Sequence, residues 1–172
     1  MPRVRPPADA PADDPIRGSA LGHQPELTDA FLRTYGILWS RGELDHPTKE
    51  MARLRNARVT DCGFCRNVRF DVARREGLTE DVVDEIRDGY EDGALDPRQK
   101  AVLRWTDAFL QHPDDVPEPL RRELLTHLTP EQVVELTAGL ALFMGFSKIA
   151  VSLGQAPAEM PTTVIPTPDW EE

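Results

Sequence analysis

Apolar residues recur at three- and four-residue steps along most of this chain. The first such stretch opens at Pro25 and carries Leu27, Phe31, Leu32, Tyr35 and Leu38 to about Ser40, the spacing of one buried helical face, and Gly42 ends it. A second helix is predicted from Pro47, with Met51, Leu54 and Arg58, and a third from about Cys62 to Glu76, with Gly77 as its stop. Thr79 caps a fourth that buries Val82, Val83 and Ile86. Asp96-Pro97-Arg98-Gln99 starts a fifth: an Asp cap, proline in the first turn and glutamine three residues on. Its apolar face is Val102, Leu103, Trp105, Phe109 and Leu110. A short helix over about 119–128 leads to Thr129-Pro130-Glu131-Gln132, a capping box. The last helix, about 130–154, is apolar nearly all round, so it is expected to be buried on most sides, as a core helix or by oligomerisation. No strand-like alternation or Asn-Gly hairpin signal competes with these helices. The fold class expected is all-α, a single-domain helical bundle.

Two segments lack this periodicity. Residues 1–24 are rich in Pro, Ala and Asp and are read as a mobile N-terminal arm preceding a helical domain over 25–155. Residues 156–172 form an extended tail: Pro157, Pro161, Pro166 and Pro168 exclude a long helix. The tail still carries Met160, Val164, Ile165 and Trp170. Such a tail either lies along a neighbouring subunit or is a loose terminus.

Charge narrows the function classes. Asp and Glu total 30 against 20 Lys and Arg, a net charge of −10, whereas a nucleic-acid partner calls for a basic stripe. No apolar leader follows Met1-Pro2-Arg3-Val4-Arg5, and the longest uncharged apolar run, Leu136 to Ser147, is shorter than the roughly 20 residues of a bilayer span. Neither nucleic acid nor membrane is expected as a partner. The expected location is cytoplasmic, where two close cysteines are more often catalytic or redox-active than structural.

The chain's only two cysteines stand three apart in Cys62-Gly63-Phe64-Cys65. Thiols so spaced share one helical face, and a helix start favours thiolate. Upstream lies Glu50-Met51-Ala52-Arg53-Leu54-Arg55-Asn56-Ala57-Arg58, and downstream Arg66 and Arg69 each follow a cysteine by one helical turn. Two permanent cations beside two sulfurs would add to thiolate stability, and Arg69 is also placed to pair with Glu50. Blander readings stand beside these. Two cysteines can be inert core residues, Glu50 a solvated carboxylate, and Arg53, Arg55 and Arg58 a solvated or salt-bridged face. No metal is expected, because His23, His46, His112 and His127 are scattered and two thiols need two further ligands. His46 is the one histidine near the Glu50 segment.

The order of these pieces from Pro25 to Pro157 resembles the carboxymuconolactone decarboxylase and alkylhydroperoxidase D superfamily. The carriers are Pro25-Glu26-Leu27 with Ala30-Phe31-Leu32, the Glu50–Arg58 segment, Cys62-Gly63-Phe64-Cys65, Arg74-Arg75-Glu76-Gly77-Leu78-Thr79, and Val133-Val134-Glu135-Leu136 with Lys148 to Gly154. The superfamily's peroxidase branch has a glutamate, a Cys-x-x-Cys twelve residues on, and a histidine four beyond the second cysteine. Glu50, Cys62 and Cys65 match; Arg69 stands where the histidine would be.

The resemblance implies Cys65 as peroxidatic sulfur, Cys62 as resolving sulfur, and Glu50 as proton acceptor or donor. Arg69 has no proton to relay near neutral pH. It also implies a homotrimer or hexamer, no bound cofactor, and a dithiol reductant such as a lipoyl-bearing or thioredoxin-like protein. Two other functions stay open. One is a cofactor-free lyase, decarboxylase or isomerase with Arg69 gripping a substrate carboxylate. The other is a non-catalytic helical oligomer.

Overall fold

A proline in the first turn opens each of the five longest helices, where its missing N–H costs nothing and its fixed φ suits the helix. The structure, a computed structural model, describes residues 2–155 and 160–170. After a 3₁₀ turn at Ala20–His23 come α1 (Pro25–Ser40) and α2 (His46–Val59), the latter capped by Asp45. Next are α3 (Gly63–Asn67), the three-residue strand β1 (Val68–Phe70), α4 (Asp71–Arg75) and α5 (Glu80–Glu85). Then follow α6 (Pro97–Gln111), α7 (Glu118–His127), α8 (Pro130–Ser152) and a second short strand, β2 (Thr163–Ile165). Asp96 caps α6 as expected and forms a full capping box with Gln99, the box expected at Thr129/Gln132 forms, and Thr79 caps α5. Gly77 takes φ +101° after α4, a conformation open to glycine. The molecule is an all-α bundle.

Two cores flank α2. One gathers Trp39, Ala52, Leu124, Leu140 and Phe143 from α1, α2, α7 and α8; the other gathers Met51, Leu54, Val83 and Leu103 from α2, α5 and α6, with Ile86 from the C-cap of α5. The last helix is less enclosed than its composition predicts. Six of its 23 residues are buried, and Val134 is 70% exposed. It is long and apolar enough to cross a membrane, yet it packs against α1, α2, α6 and α7 as a core helix does.

The continuous helix expected over 62–76 does not form. It breaks at Val68–Phe70, which pairs in parallel with Thr163–Ile165 of the tail in the register Val68↔Thr163, Arg69↔Val164, Phe70↔Ile165. The backbone groups freed by the break have specific partners, as buried amides require. Arg53 Nη2 donates to the Val68 carbonyl at 2.7 Å, and Phe70 N donates to Glu50 Oε1 at 3.1 Å.

Both terminal segments lie on the body of the chain. Arg3 N donates to the Leu153 carbonyl at 2.9 Å, and Ala20 N to Gln155 Oε1 at 3.2 Å, so the segment read as a mobile arm runs along the end of α8. In the tail, Asp71 accepts from Thr167 N and Thr167 Oγ1, both at 2.8 Å, bonds that hold its carboxyl well below the usual carboxylate range. Farther on the tail crosses Gly36 so closely that a Cβ there would stand 2.7 Å from the Asp169 carbonyl. The expected start of the tail at 156–159, Pro157 included, and its last two residues lie outside the described residues.

Candidate functional site

The cysteine pair sits at the turn that ends α2. Thr60 closes that helix by donating from both N and Oγ1 to the Asn56 carbonyl, and Asp61 then takes φ +48°, which a short polar side chain tolerates. Cys62 N reaches back to the Ala57 carbonyl at 3.0 Å, and Cys62 becomes the N-cap of α3, its Sγ accepting from Cys65 N at 3.3 Å. Cys62 and Cys65 are joined as a disulfide with Cα atoms 5.3 Å apart. Cys62 is fully buried and Cys65 is 6% exposed.

A buried ion pair fixes the far side of this loop. Glu50 is 0% exposed, and its two oxygens accept from Arg53 Nε and Nη2, both at 2.7 Å. Arg53 Nη1 donates to the Cys65 carbonyl at 2.6 Å, and its guanidinium lies 4.9 Å from the centre of the Phe70 ring. Burial works against the Arg53 charge, but Glu50 outweighs it and the pKa stands above its ordinary value. One bidentate pair thus ties α2 to the cysteine loop and to β1 together.

Arg69 is not part of this arrangement. Successive strand residues face opposite ways, so β1 turns Val68 and Phe70 toward the Cys65 cavity and Arg69 away from it. Arg69 Nε and Nη2 donate to Glu80 Oε2 at 3.3 and 3.2 Å, and Nη1 to the Arg66 carbonyl at 2.7 Å. The pairing with Glu50 that was open to Arg69 is made by Arg53 instead. Arg66 pairs with Asp61 at 2.8 Å, so both cations expected to act on the sulfurs are matched with carboxylates. His46 stacks on Trp39 and contacts its carbonyl and Glu76, apart from the cavity.

Cys65 opens onto a cavity of about 100 Å³ whose wall is mostly apolar, with Phe31, Leu32, Phe64, Phe143 and Phe146 among its lining. Pro15 and Ile16 of the N-terminal segment and Ile165 and Pro168 of the tail complete it. Arg53 is the one cation in this lining among the described residues, and four of its N–H bonds are already committed. Tyr35 also borders the cavity, and burial pushes its phenol up to about 12, so it stays protonated at neutral pH. Ser147, from the C-terminal third of α8, places Oγ 3.4 Å from Cys65 Sγ, and Asn56 Nδ2 donates to that Oγ at 2.9 Å.

Comparison with known proteins places this geometry in a family. The sequence profile of the carboxymuconolactone decarboxylase family matches residues 25–108, which span α1, α2 and the cysteine loop. Uncharacterized protein 4 in the cox locus of Paracoccus denitrificans is 33% identical over 75 residues, 41% of this chain and 68% of its own length. The chain belongs to the carboxymuconolactone decarboxylase family. An uncharacterized Mycobacterium tuberculosis protein is 33% identical over 111 residues, 64% of this chain; the chain spans 39% of that relative's length. Among solved structures, an uncharacterized peroxidase-related protein from Ralstonia eutropha JMP134 with an alkylhydroperoxidase AhpD core superposes with a TM-score of 0.71. It is 23% identical, with 81% of this chain and 75% of that one covered, and so shares the fold.

Within the family fold, the glutamate–cysteine spacing brings Glu50 and Cys65 to one site, joined through Arg53. Sequence reasoning missed Asn56 and Ser147, and read Arg53 as a solvated or salt-bridged residue without naming Glu50 as its partner. Arg53 had a visible signal in its three-residue spacing from Glu50, one helical turn apart. Ser147 had a fainter one: a hydroxyl inside an otherwise apolar stretch calls for a partner when buried.

Proposed function

We propose that this protein is a thiol-dependent, peroxidase-like oxidoreductase that reduces organic hydroperoxides through Cys62 and Cys65. The observation that carries this reading is a disulfide-forming pair whose second sulfur meets an apolar cavity at the base of α2. In the reduced protein, the Cys65 thiolate attacks the terminal oxygen of the hydroperoxide. The O–O bond breaks, Cys65 becomes a sulfenic acid, and the alkoxide takes a proton from water and leaves as the alcohol. The Cys62 sulfur, as thiolate, then displaces hydroxide from Cys65, forming the disulfide and, after protonation, water. Two electrons pass from the thiols to the peroxide. A dithiol, such as a lipoyl-bearing or thioredoxin-like partner in a cytoplasmic setting, restores them by exchange.

Cavity size supports a small or slender apolar substrate. An apolar cavity of about 150 Å³ is enough for benzene, so about 100 Å³ admits the peroxide end of a molecule and little more. Glu50 acts in this scheme through Arg53, holding the Cys65 carbonyl and hence the direction of the sulfur. The carboxylate-gripping lyase reading loses its residue, because Arg69 faces Glu80 rather than the cavity. For assembly we propose association with further copies through the outward side of α8, where Val134, Ala138 and Ala141 stand exposed.

The test is peroxide consumption with dithiothreitol or dihydrolipoamide as reductant. Wild type is expected to turn over and Cys65→Ser to be inactive. Equal activity in the two would remove the thiol mechanism.

A further inference from the structure

Hydroxyls in helices commonly donate to the carbonyl one turn earlier, and several on this scaffold do so, among them Thr34 to Ala30, Ser40 to Gly36, Thr106 to Val102 and Thr137 to Val133. Ser147 differs. Its hydroxyl is buried and directed at Cys65 Sγ, 3.4 Å away and 82 residues distant in sequence. What directs it is Asn56 on α2, fully buried, whose Nδ2 donates to Ser147 Oγ at 2.9 Å. With that lone pair filled, the hydroxyl's single proton is left for the sulfur. Among the described residues Asn56 Oδ1 is buried without a hydrogen-bond partner, so the bond to Ser147 is the one its side-chain amide makes.

We propose that Ser147, oriented by Asn56, is the hydrogen-bond donor that stabilises the Cys65 thiolate in the reduced protein. This rests on the thiol reading above. The titratable or charged groups that border the sulfur's cavity are Tyr35 from α1 and Arg53, with its partner Glu50, from α2. Arg53 is directed at the Cys65 carbonyl, and Arg66 and Arg69 are paired with Asp61 and Glu80. Among the described residues, Ser147 is the side chain whose hydroxyl donates to the sulfur itself. The two sulfurs are thereby served from different sources: Cys62 by the backbone N–H of Cys65, and Cys65 by a side chain of α8. Hydrogen bonding to the charged form of an acid lowers its pKa, and the thiolate is the nucleophile. Ser147 thus contacts the reacting atom, and Asn56 is a positioning residue.

The experiment is the pH dependence of iodoacetamide alkylation at Cys65 in the reduced full-length chain, on a Cys62→Ala background so that one thiol reports. Ser147→Ala is expected to raise the apparent pKa by about one unit. That slows alkylation at neutral pH roughly three- to tenfold, the lower figure allowing for the greater nucleophilicity of a more basic thiolate. Ser147→Thr keeps the hydroxyl and is expected to retain the wild-type pKa. Asn56→Ala is expected to shift it in the same direction as Ser147→Ala but less.

An unchanged pKa in folded Ser147→Ala, or a threonine variant shifted as far as the alanine one, overturns the proposal. A second measurement covers any alanine variant that misfolds: in Ser147→Val, which replaces the hydroxyl with methyls, the dithiothreitol equilibrium of the Cys62–Cys65 disulfide should move about threefold or more toward the oxidised form. No displacement there overturns the proposal as well. Because neither readout uses peroxide, a confirmed pKa shift in a protein inert to peroxide would keep the hydrogen-bond assignment and remove the peroxidase reading.

Discussion

The two helices that meet at the cysteine loop invert the usual relation between hydropathy and burial. In α2, ten of fourteen residues are buried although the helix carries Lys49, Glu50, Arg53, Arg55 and Asn56 among them. In α8, apolar almost throughout, six of twenty-three are buried. The polar helix is tolerated inside because each charge has a partner. Lys49 meets Glu135 and the Leu38 carbonyl, both at 2.8 Å, Arg53 meets Glu50, and Arg55 meets Asp107 at 2.6 Å. Glu135 belongs to α8 and also accepts from Glu43 N and Leu44 N, so the apolar helix supplies one of the polar helix's clamps. The difference teaches where function resides. Buried, paired charge in α2 builds a site with fixed directions, whereas α8 leaves apolar residues such as Val134 exposed among the described residues.

The sharpest way to break this comparison is to remove one partner inside α2. Glu50→Gln leaves the Arg53 charge buried without its counter-ion, and a loss of about 3–5 kcal/mol in urea unfolding is expected. A loss under about 1 kcal/mol would mean that the pair is not enclosed as described.

An alkaline titration probes the same polar interior. Both tyrosines of the chain are shifted upward, Tyr35 to about 12 by burial and Tyr90 by burial and the Asp107 carboxylate. A raised folded-state pKa means that the native state holds the proton more tightly. The contribution is therefore complete below pH 10 and is lost as pH rises from about 10 through 12. Tyrosinate absorbance should grow only together with loss of helical circular dichroism. A tyrosine ionising near pH 10 in a fully helical protein would contradict the burial.

The smaller effects lie on the other surfaces. Val134→Asp, on the exposed side of α8, is expected to change monomer stability by within about 0.5 kcal/mol while weakening self-association in sedimentation velocity. Unchanged association would place the subunit contact elsewhere. Arg69→His should leave peroxide turnover within a factor of about three, although it restores the histidine of the peroxidase pattern, because that position faces Glu80. A gain of a hundredfold would show that the side chain reaches the sulfur after all.

Much of the scaffold was legible in the sequence because its signals are local. Proline in the first turn, Asp96 and Thr129 as caps, and Gly77 as a stop each act within one helical turn. The cysteine spacing was legible for the same reason. The break at Val68 was not, because its causes lie elsewhere in the chain: Glu50 and Arg53 upstream, and a partner strand far downstream in the tail. That break decides the site, since it turns Arg69 to the opposite face and leaves Arg53 with Glu50. Ser147 was hidden by the same non-locality. Nothing near it in sequence announces a sulfur, and only the packing of α8 on α2 brings it to one.

The most direct test of the sulfur chemistry is a single-turnover mass measurement. Reduced wild type, freed of excess reductant and mixed with one equivalent of tert-butyl hydroperoxide, should lose the mass of two hydrogens as one alcohol forms. Cys65→Ser should remain unchanged. Reduced wild type that keeps both hydrogens in the presence of the peroxide would contradict the account.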